Sequence, residues 1–319
     1  MNLIDLHCDS MFRLHYGEKK GEKLTFDECL VNMDGLRKSN SLIQFFASFI
    51  FLGQFKEADR YTRGYEEALV MLERLHKELN VYSDEISVTA TLADLEENMK
   101  RNKISAVSTI EEGGILENSM DRLQTLYEKG VRLITLLWNY ENCLGFPNGS
   151  LEGGLKPFGI QVVEEMNQWG MIVDVSHLSD QGFWDVNLHS KQPFIASHSN
   201  AREVCRHQRN LTDDMLRALG NAGGVAGLNL YPIFLGQTKD SKIQEMVAHI
   251  QHMMKMGGEE VIAIGTDFDG FDGIDTMEIQ NIGEMNKLYV ALHKAGLSEL
   301  QLEKLWYKNA LRVIQDVLK

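Results

Sequence analysis

Two periodicities alternate along this chain: short apolar runs of strand length, and stretches whose apolar residues recur at helical spacing. The candidate strands are NLIDLH, IQFFASFIF, ISAVSTIE, VRLITLLW, MIVDVSH, PFIASH, GGVAGLNL and VIAIGTD. Between several of them lie amphipathic segments such as EEALVMLERLHKEL, PFGIQVVEEMNQWG and LTDDMLRALGNAG. Near-continuous apolar runs are the mark of parallel strands buried on both faces. Eight of them alternating with helices predict an α/β fold, a (β/α)8 TIM-like barrel occupying residues 1–319 as a single domain. The C-terminal LSELQLEKLWYKNALRVIQDVLK reads as closing helices packed on that barrel. A doubly wound open sheet is the alternative, weakened because no GxGxxG follows the first strand.

The polar residues that interrupt this pattern fall at the ends of the runs. IDLHCD ends in His7 and Asp9, VSTIEEGG in Glu111 and Glu112, IVDVSH in His177, FIASH in His198, and AIGTDFDG in Asp267 and Asp269. Barrel enzymes carry their catalytic groups at the C-terminal ends of the strands. Alternation within a strand sharpens the choice. Asp5, His7 and Asp9 share one side of the first run, opposite Ile4, Leu6 and Cys8. On the third run, Ile104, Ala106, Ser108 and Ile110 share a side with Glu112, which favours Glu112 over Glu111 as the inward carboxylate. Val173 and Val175 precede His177 on one face, and Val261, Ala263 and Gly265 precede Asp267. His15, His76, His189, His249, His252 and His293 fall in helical or loop text and read as ordinary surface or helix residues.

Histidines with several carboxylates and no thiolate pair suit zinc or a similar divalent ion. Five converging ligands exceed what one tetrahedral zinc needs, so a carboxylate such as Glu112 would bridge two ions. DFDG lacks the spacing of an EF-hand loop.

Composition narrows the function classes. The chain has 319 residues, 44% of them hydrophobic, and a net charge of -14. With no Lys/Arg-rich run, a nucleic-acid partner held through phosphates is not expected. No basic start precedes a long apolar stretch, and SLIQFFASFIFLG is too short to span a bilayer as a helix, so no membrane partner is expected either. Cys8, Cys29, Cys143 and Cys205 form no CxxC pair, which points to a cytoplasmic location.

Taken in order, DLHCDS, EEGG, LITLLWN, VDVSHLS, ASHSNAR, HQRNLTDD and GTDFDG resemble the membrane (renal-type) dipeptidase family, peptidase family M19 of the amidohydrolase superfamily. The resemblance runs from Asp5 to the final KNALRV. It implies a metal-dependent dipeptidase with two zinc ions per chain, in which a metal-bridged hydroxide attacks the peptide carbonyl. By motif position His7, Asp9 and Glu112 match the ligands of one zinc, and Glu112, His177 and His198 those of the other. Asp267 matches the acid/base that serves the leaving amine, Arg209 the arginine that pairs with the substrate carboxylate, and Tyr231 a further substrate contact. The implied substrate is a small dipeptide, including L-Xaa-D-Xaa, and the implied assembly a homodimer.

One position departs from the family pattern. Renal-type members carry a histidine after this segment, where ITLLWNYEN puts Trp138. Trp138 offers one N–H donor and no useful basicity, so Asn139 is the nearest candidate for the missing donor. The alternatives are another amidohydrolase-type reaction on an N-acyl amino acid, lactone or phosphoester, a TatD-like nuclease, and a zinc-binding pseudoenzyme.

Overall fold

The computed structural model describes residues 1–151, 153–236, 240–272 and 276–319. Its strands are β1 (Leu3–Asp5), β2 (Ser41–Phe49), β3 (Ile86–Val88), β4 (Ile104–Glu111), β5 (Val131–Thr135), β6 (Ile172–Asp174), β7 (Ile195–Ala196), β8 (Val225–Leu228) and β9 (Ile262–Ile264). All pairings between them are parallel. The order β2-β1-β9-β8-β7-β6-β5-β4, closed by β2 against β4, makes an eight-stranded barrel. Each of the eight apolar runs supplies one barrel strand.

The ninth strand, β3, escapes the sequence pattern because it has only three residues, ISV. It pairs with Ile104–Ala106 at the start of β4. There β5 has not yet begun; it joins β4 only from Ser108 onward.

Alternation along the strands separates two cores. The inner one collects Ile4, Ile43, Phe45, Val107, Leu133, Ile172, Ile195, Val225 and Ala263, nearly one layer from each strand. Ala310, Val313, Ile314 and Val317 of the C-terminal helix (Asn309–Val317) join that cluster and close the barrel floor. The outer core pairs Ile104, Ala106, Ile110, Ile134, Val173 and Ile264 with helix residues such as Leu72, Leu75, Leu123, Val162 and Met166. Each fully buried Leu or Ile is worth about 1.5–3 kcal/mol of transfer free energy.

The intervening helices start and stop where local chemistry directs. Pro157 opens the helix Pro157–Trp169, and Gly170, at φ 75°, ends it in the left-handed conformation. Thr212 caps the helix Asp213–Asn221 by accepting from the Met215 N–H. Among the described residues, no helix is long and apolar enough to cross a membrane. The strands therefore end on one rim, opposite the C-terminal helix, and the residues just past their ends form the site.

Candidate metal centre

Most of these strands stop before their polar residues, and tight turns aim the side chains. β1 ends at Asp5. Ile4 and Leu6 pack in the inner cluster but Cys8 in the outer one, so the alternation slips between them. Asp5 does not join His7 and Asp9. Its carboxylate instead ties β1 to its neighbours, accepting from Thr266 N and Oγ1 at 2.8 Å each and from Gln44 Nε2 at 2.9 Å. His177 lies three residues past β6 at φ 70°, and Asp267 three past β9 at φ 62°. Left-handed backbone at non-glycine residues is costly and is held only where the surroundings fix it.

Five buried side chains converge on the mouth: His7, Asp9, Glu111, His177 and His198. His7 Nε2 lies 3.3 Å from Asp9 Oδ2 and 3.3 Å from Glu111 Oε2. The other Glu111 oxygen, Oε1, lies 3.0 Å from His177 Nε2 and 3.7 Å from His198 Nε2. Among the described residues, three sets of donor atoms are compact enough to hold a cation: His7 with Asp9 and Glu111, Glu111 with His177 and His198, and His7 with His198 and Asp267. Glu111 is common to the first two.

This corrects the expectation for Glu112. β4 extends to Glu111 itself, and Val107, on the Glu111 face, belongs to the inner core. The Ile104–Ala106–Ile110 face, which Glu112 continues, packs on the helices. In a barrel wrapped by helices the more apolar face of a strand turns outward, so reading that face as inward chose the wrong neighbour. Glu112, at φ 96°, is a buried strut. It accepts from Gly114 N at 2.9 Å, Asn142 Nδ2 at 2.6 Å and the Trp138 backbone N–H at 3.2 Å. Burial pushes its carboxyl up to about 7 despite those bonds, with Glu111 adding to the rise.

A second layer fixes the histidine rings, and much of it was not foreseen from the sequence. Asp174 accepts from Ser197 Oγ and from Thr135 Oγ1, each at 2.6 Å, and from Ser197 N at 2.8 Å. Since Ser197 Oγ gives its proton to Asp174, it accepts from His198 Nδ1, 2.7 Å away. Asn139 Oδ1 accepts from His177 Nδ1 at 3.0 Å. Both Nε2 atoms are thereby left as bare lone pairs, and they face each other at 3.0 Å. Two lone pairs at that distance repel unless a cation lies between or beside them. His7 Nδ1 and Asp9 Oδ1 are buried with no hydrogen-bond partner among the described residues. The donor set fits a divalent metal. An aspartate inside the apolar run IVDVSH and a serine just before His198 were the available signals for this layer.

The electrostatics agree. Burial would lower His7, but Glu111 and Asp9 hold its imidazolium well above the usual range. Burial would raise Glu111, but the His7 imidazolium holds it well below the usual carboxylate range. Burial pushes Asp9 well up and Asp267 to about 6. Burial also drives His177 down to about 4 and His198 well below its ordinary value, the neutral state in which imidazole binds metal.

The other expected residues surround this centre. Asp267 Oδ1 is 3.8 Å from His7 Nε2, and its Oδ2 accepts from Asn229 Nδ2 at 2.9 Å. Arg209 is buried, with Nη1 on Ser199 Oγ at 3.1 Å, Nη2 on the His198 carbonyl at 3.2 Å and Nε without a partner among the described residues. Trp138, Asn139 and Tyr231 line one cleft of about 380 Å³ with Asp9, Glu111, His177 and Asp267. Asn139, expected as a substrate donor, orients His177 through its Oδ1. Asp269 stands apart: it accepts from Ser10 Oγ at 2.7 Å and Leu30 N at 3.0 Å, pinning its loop to the helix Ser10–Lys19. His249 lies on the helix Ile243–Gly257, as expected of a helix residue, and is wholly buried, bridging the Ala201 N–H and the Leu235 carbonyl.

The family model described as "Membrane dipeptidase (Peptidase family M19)" matches residues 1–319. The chain is 36% identical over 236 residues to an uncharacterized protein in the pqqA 5' region of Klebsiella pneumoniae, covering 70% of this chain and 86% of that one. It is 31% identical over 249 residues to dipeptidase verJ of Clonostachys rogersoniana, covering 76% of this chain. That match spans 63% of verJ, less than two thirds of its length. A solved metallo peptidase from Rhodobacter sphaeroides, liganded with a phosphinate mimic of the dipeptide L-Ala-D-Ala, superposes with a TM-score of 0.88 at 22% identity over 99% of both chains. At that identity the likeness is one of fold.

Proposed function

The chain belongs to peptidase family M19, the membrane dipeptidases, and on that premise we propose that it hydrolyses small dipeptides with two zinc ions held at its strand tips. Membership makes it a metal-dependent dipeptidase, a hydrolase; the number and identity of the ions and the residue roles are our reading. The observation that carries it is Glu111, whose two oxygens face different donor groups, His7 on one side and His177 with His198 on the other. His7, Asp9 and Glu111 would hold one ion, and Glu111, His177 and His198 the second. When bound, such a pair supplies Lewis acidity at the scissile carbonyl and a nucleophile at neutral pH.

The remaining roles fall to the chain's own groups. Arg209 carries a buried charge whose hydrogen-bond partners among the described residues are Ser199 Oγ and the His198 carbonyl, neither of them a carboxylate. A buried, unpaired guanidinium is costly and is matched in shape and charge by a terminal carboxylate. We assign it the C-terminal carboxylate of the dipeptide. Asp267 is held by Asn229 through one oxygen, leaving the other toward the cleft centre. We assign Asp267 the proton that the leaving amine requires. Tyr231 lines the cleft beside Phe234, the ring over which the Arg209 guanidinium lies at 5.3 Å.

The test pairs elemental analysis of the purified protein with a panel of L,L and L,D dipeptides assayed for released amino acids after zinc is restored. Two ions per chain and turnover are expected. Zinc-replete protein that releases no amino acid from any dipeptide would remove the reading.

A further inference from the structure

The cleft has two unlike sides. Tyr231 follows β8 and Phe271 follows β9, with Phe234 and the Arg209 guanidinium beside them. Across the mouth, Phe49 ends β2 and Trp138 follows β5. In the closed order β1-β2-β4-β5-β6-β7-β8-β9 these groups occupy opposite arcs of the barrel rim.

The second arc is a continuous aromatic wall. The Trp138 ring meets Phe49 at 4.9 Å, Phe51 edge-on at 5.7 Å and Tyr140 edge-on at 5.5 Å, and it stands 6.4 Å from His177. Phe49 leans in turn on Phe12 at 5.0 Å. The wall is braced from behind, since the Trp138 backbone N–H is held by the buried carboxylate of Glu112. Trp138 itself is only half-buried, so one face remains open to the cleft.

We propose that this wall selects a large apolar side chain on the substrate residue that bears the scissile carbonyl. The inference rests on the dipeptidase reading above. With the C-terminal carboxylate on Arg209, the C-terminal residue occupies the Tyr231 arc. The reacting carbonyl then lies over Glu111 and His177, and the preceding residue extends toward Trp138. An aromatic or branched aliphatic side chain there buries apolar surface against Trp138 and Phe49. A side chain of one methyl group leaves that surface wet, and a carboxylate is desolvated against the rings of Phe49, Phe51 and Trp138, which carry no charge to receive it.

The test compares kcat/KM of the zinc-loaded enzyme on L-Xaa-L-Ala and L-Xaa-D-Ala, with Xaa as Gly, Ala, Leu, Phe and Asp, for the natural protein and for W138A and W138F. The natural protein is expected to favour Leu and Phe over Ala by about tenfold or more, and Asp least. W138A is expected to bring the Leu-to-Ala ratio close to one, chiefly through KM on the Leu substrates, and W138F to keep most of it. Zinc content and thermal midpoint identify a variant that merely fails to fold; the substrate ranking of the natural protein then decides alone. Equal rates for Ala and Leu, or a ratio that survives in W138A, would overturn the proposal while leaving the dipeptidase reading intact. No turnover on any member would remove both.

Discussion

His177 Nε2 and His198 Nε2 face each other at 3.0 Å, each with its proton held on the far nitrogen. This arrangement is stable only with positive charge at the strand tips. Removing metal with a chelator is therefore expected to lower the thermal midpoint by several degrees and to abolish turnover, with both restored by zinc. A chelated protein of unchanged midpoint would show that the two rings need no cation.

The exchange of Glu111 for Glu112 gives a direct mutational contrast. Glu111→Gln removes a charge shared between two donor sets, so metal content should fall by half or more and kcat by about a thousandfold. Glu112→Gln keeps an oxygen for Asn142 or Trp138 and should retain both ions, with activity reduced less than tenfold. Metal analysis of the two variants checks this, and the reverse ranking would restore Glu112 as the bridge.

Asp267→Asn should separate proton transfer from metal binding. The amide still accepts from Asn229, so the fold and metal content are expected to stay near normal. Turnover is expected to fall by about 10²–10⁴-fold, the usual share of a general acid/base. Loss of zinc in this variant would instead mark Asp267 as a ligand, a role open to it through the set it forms with His7 and His198.

The loop that carries Asp267 leaves no space at Gly270. A Cβ there would stand 2.4 Å from Asp9 Oδ2 and 2.7 Å from Asp267 Oδ1. Gly270→Ala is expected to displace both carboxylates and to cost at least a hundredfold in kcat/KM, while far-ultraviolet circular dichroism stays unchanged. Near-normal kinetics would mean that the loop yields.

His249 sets an acid limit on stability that is separate from the metal centre. Its ring is buried neutral, with Nδ1 accepting from Ala201 N at 3.1 Å and Nε2 donating to the Leu235 carbonyl at 2.9 Å. Burial lowers its pKa from 6.5 to about 4. The unfolded chain thus takes up this proton first, and the contribution is full above pH 6.5, then shrinks as pH falls toward 4. Between pH 7 and 5 that amounts to about 2 kcal/mol. Denaturant titrations of chelated protein should show it, and His249→Gln should lose about that much of the pH dependence. Equal slopes for the two proteins would show that the ring is not held neutral.

How far the sequence reveals this site depends on where the strands end. The eight barrel strands are legible because each is an apolar run of buried parallel type, and β3 is not because three residues carry no period. His7, Asp9, His177, His198 and Asp267 are legible as ligand-type residues just past such runs. Alternation was a poor guide to their direction. It holds only inside a strand, while His177 and Asp267 are aimed by left-handed turns beyond β6 and β9. Where alternation does hold, on β4, the apolar Ile104–Ile110 face packs on the helices and Glu111 lies on the inward face with Val107. Asp174 and Ser197 act through hydrogen bonds to distant segments, which no local pattern reports.

Ring closure joins β1 to β9, so His7 and Asp267 are neighbours although nearly the whole polypeptide separates them: Asp267 N donates to the His7 carbonyl at 3.1 Å. A nascent chain on the ribosome cannot bring these two segments together until its last strand has emerged, and the helix that seals the barrel floor is later still. Contacts so distant in sequence form slowly. Asp267 consequently joins His7 only once the barrel closes, and a product terminated before β9 would carry His7 and Asp9 without that neighbour.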